Sequence, residues 1–478
     1  MAYTAFITRI KNVRPHPNAD RLQMGECFGN TVIVSMEYED NQLGIYFPSD
    51  GQLSVEFAEA NNLLRKKDDA GNNIGGYMDA DKRNITAIKL RGEKSDGLFL
   101  PLKSLESFGN ITTLNEGDRI DNFNGHEICC KYVPRRNIRH GSVSNGNRTR
   151  KKKVDVAPLF VEHADTEQLS YNLGAFKSGD EIEITLKMHG TSQRTAYLPV
   201  FKGYKRTLWD KICKREGTPI YDWGYVSGTR RTVLENYDGG YYGSNEFREQ
   251  HSKFFEGKLW KGEEIFYEVV GFTHTGTPIM ATADNKKLND KEFVKQYGNT
   301  TTFSYGCEPT GKRESPFQMT RGTIEIGDLT STVNDVKVYE LAPKSDIYVY
   351  RMTMTNEDGD VVEYTPDFMC YRCEQMGVKT VPVMWKGTIP EIENDEALPY
   401  DMWETPGSFI KSIAEEFYDG PDPIGKTHVR EGVVVRILNR PKFCAYKHKN
   451  WSFKALEGIV KVEAEAPDME EAESVEGE

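Results

Sequence analysis

A lysine, two glutamates and a cluster of later lysines carry the side chains from which phosphate chemistry is built. Lys187 follows the run Asp180–Leu186, in which Ile182, Ile184 and Leu186 share one face of a strand and Lys187 falls on the other. The strand ends in Met188-His189-Gly190-Thr191, so the lysine stands beside a glycine bend whose backbone amides can meet phosphate. A lysine at such a place is either a solvated strand end or a nucleophile. The second use requires burial or nearby cations to help the amine shed its proton. Glu268 interrupts the apolar strand Glu264-Ile-Phe-Tyr-Glu268-Val-Val-Gly271, and a buried carboxylate needs a partner or a ligand. Glu431 precedes Gly432 and a β-branched run, at a strand entrance, where it is either solvated or able to hold a hard cation through oxygen. Lys447 and Lys449 lie two apart, hence on one strand face, with Lys454 soon after, a pattern suited to phosphate.

In this order the segments Lys187-x-His189-Gly190, Glu268, Glu431-Gly and Lys447-x-Lys449 resemble motifs I, III, IV and V of the covalent nucleotidyltransferases. His189, where DNA ligases usually carry Asp, and Thr191 after the glycine resemble the nick-sealing branch of the ATP-dependent RNA ligases. Ser227-Gly-Thr-Arg230-Arg231 resembles motif Ia, and Ile347-Tyr348-Val-Tyr350-Arg351 the aromatic motif IIIa; the resemblance covers residues 159–460. It implies an ATP-dependent RNA ligase that joins 3′-OH and 5′-phosphate ends through a lysyl-AMP on Lys187 and an adenylylated 5′ end. ATP and Mg2+ would be required, with Mn2+ as a substitute, and Glu431 would hold the metal. His189 and Gly190 would border the nucleotide, Glu268 would bind the ribose, and Arg230 or Arg231 a phosphate or ribose. Tyr350, with Tyr348 as the alternative, would stack on adenine; Lys447 and Lys449, or Lys454 instead, would meet the α-phosphate. Two features depart from the family pattern. Leu186 stands where a Glu is frequent before the lysine, and Glu268 and Glu431 are 163 residues apart, of which about 70 to 80 read as an insertion.

The elements that must position these residues follow from length and patterning. A chain of 478 residues calls for two or three domains. Near its start, β-type stretches at Tyr3–Ile10, Thr31–Met36, Gly44–Phe47, Thr86–Leu90 and Gly97–Leu100 suit a small barrel. Between them, Arg14-Pro-His16-Pro-Asn18-Ala-Asp20-Arg21 and Lys89-Leu-Arg91-Gly92 resemble the tRNA-binding OB modules of aminoacyl-tRNA synthetases, although His16–Asp20 also reads as a plain turn. The expected class is α+β: an N-terminal OB-fold β-barrel followed by a nucleotidyltransferase (ATP-grasp-like) domain of antiparallel sheets flanked by helices. The OB module would occupy residues 1–130, a basic flexible linker 131–158, the nucleotidyltransferase domain with its insertion 159–462, and an acidic disordered tail 463–478. The formal charge is -12, and removing the eight acids of 463–478 leaves -4; residues 131–153 hold nine Lys or Arg and no acid. RNA is the expected partner, as nicked duplexes or ends, tRNA included. Eight scattered cysteines argue against a disulfide framework, and Cys370-x-x-Cys373 reads as a helix face rather than half a zinc site. Mean hydropathy is -0.62 and there is no long apolar run or export signal, so no membrane span and a cytoplasmic location are expected. The competing readings are a capping-type guanylyltransferase and a noncatalytic RNA-binding protein with a degenerate nucleotidyltransferase domain.

Overall fold

Runs of alternating apolar and polar residues dominate the chain, and most become antiparallel strands. The computed structural model describes residues 3–49, 51–67, 73–132, 155–160, 163, 166–213, 217–230, 232–234, 237, 242, 244–315, 322–326, 329–333, 339–392, 405–457 and 460–461. The basic stretch expected at 131–158, apart from its ends, lies outside the described residues, as do Arg231 and the acidic tail 463–478. The chain forms two compact units, one from residues 1–146, 285–291 and 451–478, the other from 147–284 and 292–450.

In the first unit, β1 (Ala5–Arg9), β2 (Lys11–Pro15), β3 (Leu22–Cys27), β4 (Asn30–Ser35), β5 (Leu43–Phe47), β6 (Leu98–Pro101) and β7 (Arg119–Ile120) form two antiparallel sheets. The orders are β6-β5-β1-β7 and β2-β3-β4, and the Asp96 amide donates to Thr31 O at 2.8 Å where the chain approaches β6 beside β4. Ile7, Ile45 and Phe47 pack inside against Phe57 of α1 (Val55–Ala60). All five expected β stretches contain strands; β3 is an addition to them, without a clear signature because Gly25 and Glu26 break its alternation. The two signature segments meet, since Asn18 Nδ2 donates to Arg91 O at 2.8 Å. The helix Trp451–Leu456 also belongs to this unit.

Two antiparallel sheets build the second unit. One runs Glu167–Gln168, β15 (Cys444–Lys449), β14 (Gly432–Ile437), β8 (Glu181–Leu186), β13 (Val383–Thr388). The other runs β10 (Thr218–Gly228), β9 (Thr191–Lys205), β11 (Glu263–Gly271), β12 (Ser345–Thr355), Val361–Glu363. In the first sheet Ile182, Ile184, Val433 and Val435 turn one face toward Ile410 and Ala414 of α4 (Pro406–Phe417). The period of two leaves Glu183, Thr185, Val434, Arg436, Lys447 and Lys449 for the other face. Behind the second sheet, Phe247 of α2 (Glu246–Phe254) and Met369, Cys373 and Met376 of α3 (Pro366–Met376) pack on Ile265, Tyr267 and Val349. Cys370 and Cys373 are thus on a helix, as their spacing suggested. No helix among the described residues is long and apolar enough to cross a membrane.

A buried ion pair fixes α3 to β11. Arg372 Nε and Nη2 donate to the two Glu263 oxygens at 2.8 and 2.7 Å, and Tyr364 OH and the Trp260 amide satisfy the same carboxylate. Removing one partner strands a buried charge, so Arg372→Ala is expected to cost about 3–5 kcal/mol. Replacing both as Glu263→Met with Arg372→Leu should recover most of that loss. Urea unfolding of the three variants tests this, and a milder loss in Arg372→Ala than in the double variant would contradict it.

Candidate active site

The chain crosses from one sheet of the second unit to the other in four residues, Lys187-Met188-His189-Gly190. Its geometry is tightly set. The Lys187 amide donates to Gly432 O at 2.9 Å, the His189 amide to Tyr305 OH at 2.7 Å, and any Cβ on Gly190 would meet Val269 O at 2.3 Å. Only glycine permits this approach of the turn to β11. Beyond it, Arg248 of α2 donates to Thr191 Oγ1 at 2.5 Å and to Ser192 O at 3.1 Å.

Three basic side chains converge on Glu431. Lys187 Nζ is 2.6 Å and Lys449 Nζ 3.0 Å from Oε1, and His189 Nδ1 is 3.2 Å from Oε2. Burial pushes the Glu431 pKa up, but Lys187, Lys449 and His189 outweigh it and hold the carboxyl well below the usual range. Glu268 faces the opposite balance. It has no hydrogen-bond partner among the described residues, and burial pushes its pKa up to about 7, with Lys187 opposing and Glu431 reinforcing the rise. Two carboxylates in one site are thereby driven apart in acidity, a pattern frequent where chemistry is done.

Lys187, Glu268, Arg230, Tyr350, Lys447 and Lys449 border one cavity of about 290 Å³. Away from the lysines, Met369, Cys370, Val381, Val383 and Ala445 give it an apolar lining, broken by Glu183 and Arg436. Tyr350 presents its ring there, its hydroxyl sharing a hydrogen bond with Ser192 Oγ at 3.0 Å. Tyr348 is not among the lining residues; Lys379 Nζ lies 5.5 Å from its ring centroid. His189 and Gly190 form the crossover turn beside the cavity rather than its wall. Lys454 belongs to the first unit, on the helix Trp451–Leu456, and pairs with Asp96 at 2.6 Å. Of the later lysines, Lys447 and Lys449 line this cavity within the second unit.

Several residues of the site carry no motif. His163 lines the cavity, its amide donating to Arg230 O at 3.1 Å and its Nδ1 lying 2.9 Å from Arg351 Nη1. Arg248 and Tyr305 come from segments without a recognisable pattern. Arg436 was legible in principle, because it breaks a β-branched strand as Glu268 does.

The chain is similar in fold to proteins of known structure. A family model described as an OB-fold domain matches residues 4–102. By sequence, the chain matches none of the curated proteins. Naegleria gruberi RNA ligase with PPi superposes at a TM-score of 0.52 with 15% identity, over 94% of this chain and 97% of that one. A mutant of that ligase with AMP and Mn gives 0.52 and 14% over 95% and 98%. Another, with ATP and Mn, gives 0.51 and 15% over 95% and 98%. The fold is accordingly α+β, an N-terminal OB-fold domain followed by a sheet-rich nucleotidyltransferase-like domain with helices. The likeness to those structures is one of fold, and it agrees with the fold that the motif resemblance implied.

The raised pKa of Glu268 has a thermodynamic consequence. Between its ordinary value of 4.5 and about 7, the folded chain holds a proton that the unfolded chain has released. Stability therefore falls as pH rises through that window. Glu268→Gln is expected to remove this contribution, so its melting temperature should gain on that of the native protein between pH 5 and 7. Parallel melting curves across that range would contradict the assignment.

Proposed function

We propose that this chain is an ATP-dependent RNA ligase that joins 3′-OH and 5′-phosphate ends in RNA repair, acting in the cytoplasm. The observation that carries the reading is the setting of Lys187: a turn-borne amine paired with buried Glu431, at the charged end of a cavity whose other end is apolar. Such a cavity suits a nucleotide, with phosphates among Lys187, Lys447, Lys449 and Arg230 and the base against Met369, Val381 and Val383. Tyr350 offers a face for stacking on adenine. Glu268, whose carboxylate has no hydrogen-bond partner among the described residues and which lines the same cavity, is suited to the ribose hydroxyls.

The chemistry proceeds by three displacements at phosphorus. The lone pair of Lys187 Nζ attacks the α-phosphorus of ATP, the bond to the bridging oxygen breaks and pyrophosphate leaves, while the amine gives up its proton. An oxygen of the RNA 5′-phosphate then attacks the same phosphorus, breaking the P–N bond and returning Lys187 to the amine. Finally the 3′-OH attacks the 5′-phosphate, AMP leaves and the strand is joined. Lys447 and Lys449 offset the charge of the α-phosphate oxygens as the nucleophile approaches. Glu431 fits a hard divalent cation, being a buried carboxylate whose oxygens are already ringed by cationic groups that a metal can replace. Mg2+ or Mn2+ held there would neutralise phosphate oxygens and help the leaving group depart.

Incubation with α-labelled ATP and Mg2+ is expected to label the denatured protein, and Lys187→Ala to abolish the label. Lys187→Arg should not restore it, because a guanidinium stays protonated. Labelling by GTP in place of ATP would favour a capping-type enzyme, and no labelling by either would favour a noncatalytic RNA binder. A panel of 5′-phosphorylated RNA nicks and ends then reads the joining reaction. For RNA affinity, the basic run of Arg148, Arg150, Lys151, Lys152 and Lys153 is proposed to contact phosphates. Changing all five to Ala should flatten the salt dependence, by on the order of one power of salt for each phosphate no longer neutralised.

A further inference from the structure

The long stretch between Glu268 and Glu431 places two side chains, Phe303 and Tyr305, directly against the crossover turn. Between the short strand Thr300–Thr301 and Cys307 the chain makes a tight bend, with Tyr305 at φ 49° and Gly306 at φ 81°. Tyrosine rarely adopts a left-handed backbone, and such a conformation persists only where the surroundings enforce it. Here the surroundings do so on several sides. The Cys307 amide donates to Ser304 O at 2.9 Å, the Glu308 amide to Pro343 O at 2.9 Å, and Cys307 packs against Gly271 at the end of β11. The His428 ring meets Tyr305 edge-on, with centroids 4.6 Å apart, and lies 5.2 Å from Phe303. Asp422 anchors the His428 loop by accepting from the amides of Ile424, Gly425 and Lys426.

This braced bend delivers two contacts to His189. The Phe303 ring lies edge-on to the imidazole at 4.5 Å, and the buried Tyr305 hydroxyl accepts the His189 amide hydrogen at 2.7 Å. The amide of Lys187, two residues earlier, is held by Gly432 O, and the hydroxyl of Thr191, two residues later, by Arg248. Without the Tyr305 oxygen, the middle of the turn would have a buried N–H lacking its partner and would be free to shift. A displacement of about 1 Å at a nucleophile can slow a reaction on the order of a hundredfold.

We propose that Tyr305 is a positioning residue for the attack by Lys187: by accepting the His189 amide hydrogen, its phenol oxygen fixes the turn that aims the amine. The inference rests on Lys187 being the nucleophile. It gives the segment between Glu268 and Glu431 a role in the first chemical step, although no residue of the bend lines the cavity.

The test uses full-length Tyr305→Phe, which keeps the ring against His428 and removes only the acceptor. Single-turnover formation of the labelled protein at saturating ATP is expected to slow at least tenfold, with the half-saturating ATP concentration changed less than twofold. Joining of an RNA strand supplied already 5′-adenylylated, which bypasses attack by Lys187, should retain at least a third of its rate, and the protein should still melt cooperatively. A Tyr305→Phe protein that labels as fast as the native one overturns the proposal and leaves the ligase reading intact. Equal loss of labelling and joining, or their loss together with the melting transition, makes Tyr305 a structural prop and also overturns it. Failure of the native protein to label would instead reject the ligase reading.

Discussion

Everything at the chemical end of the second unit is arranged around one buried negative charge. A carboxylate out of water is costly unless it is paired and hydrogen-bonded, and Glu431 meets that demand with Lys187, Lys449 and His189. Lys187 and His189 come from the turn that follows β8 and Lys449 from β15, so the requirement to compensate one charge draws together the ends of β8, β14 and β15. The backbone follows the same requirement. The amide of Asn450 donates to Glu431 O at 2.8 Å, and Lys187 to Gly432 O. Gly432 itself sits at φ 147°, where a Cβ would lie 2.0 Å from His448 O. The glycine after the glutamate is needed because β15 passes too close for any side chain.

The cavity beside this charge owes its character to strand alternation. In the first sheet Ile182, Ile184, Val433 and Val435 go to the core under α4, and the opposite face gives the cavity Lys447, Lys449, Glu183 and Arg436 together with Val383, Val434 and Ala445. Glu268 enters from the second sheet, in register with Ser192 on β9 and Tyr348 on β12. It lacks the cationic contacts of Glu431, and the two carboxylates differ in acidity for that reason. On the proposed reading this difference divides labour: the ionised group suits a cation, while the group poised near neutrality can exchange hydrogen bonds with ribose hydroxyls.

What could be read from the sequence was what depends on local period. Lys187 at a strand end, Glu268 within a strand, Glu431 at a strand entrance and Lys447 with Lys449 on one face all follow from alternation by two and a glycine bend. Lys454 shows where that reasoning stops. It lies only five residues beyond Lys449, yet the chain has turned into the helix Trp451–Leu456, and the lysine meets Asp96 of the first unit. β3 is hidden for the converse reason, a strand whose alternation is broken by Gly25 and Glu26. Tyr305 and His163 sit in irregular segments with no period, and their partners are remote, His189 lying 116 residues from Tyr305 and Arg351 188 residues from His163. Contacts of that separation leave no mark on local composition.

The crossover turn concentrates these effects in very few residues. Lys187 is tied through its amide to β14, His189 through its amide to Tyr305, Gly190 by the proximity of Val269, and Thr191 and Ser192 through Arg248. Each tie holds the main chain, a glycine contact or a side chain downstream, and none holds the Lys187 side chain except the ion pair with Glu431. That pair, like the contact of His189 Nδ1 with the other Glu431 oxygen, is a link that a competing charge can replace without disturbing a sheet. A cation arriving at Glu431, or a phosphate arriving at Lys187, would exchange partners across 2.6 Å while the backbone stays in place. A rigid turn whose lysine side chain is held by an exchangeable ion pair is what an amine needs if it must be stored and then presented in a fixed direction, and the two sheets supply that rigidity by converging on the same four residues.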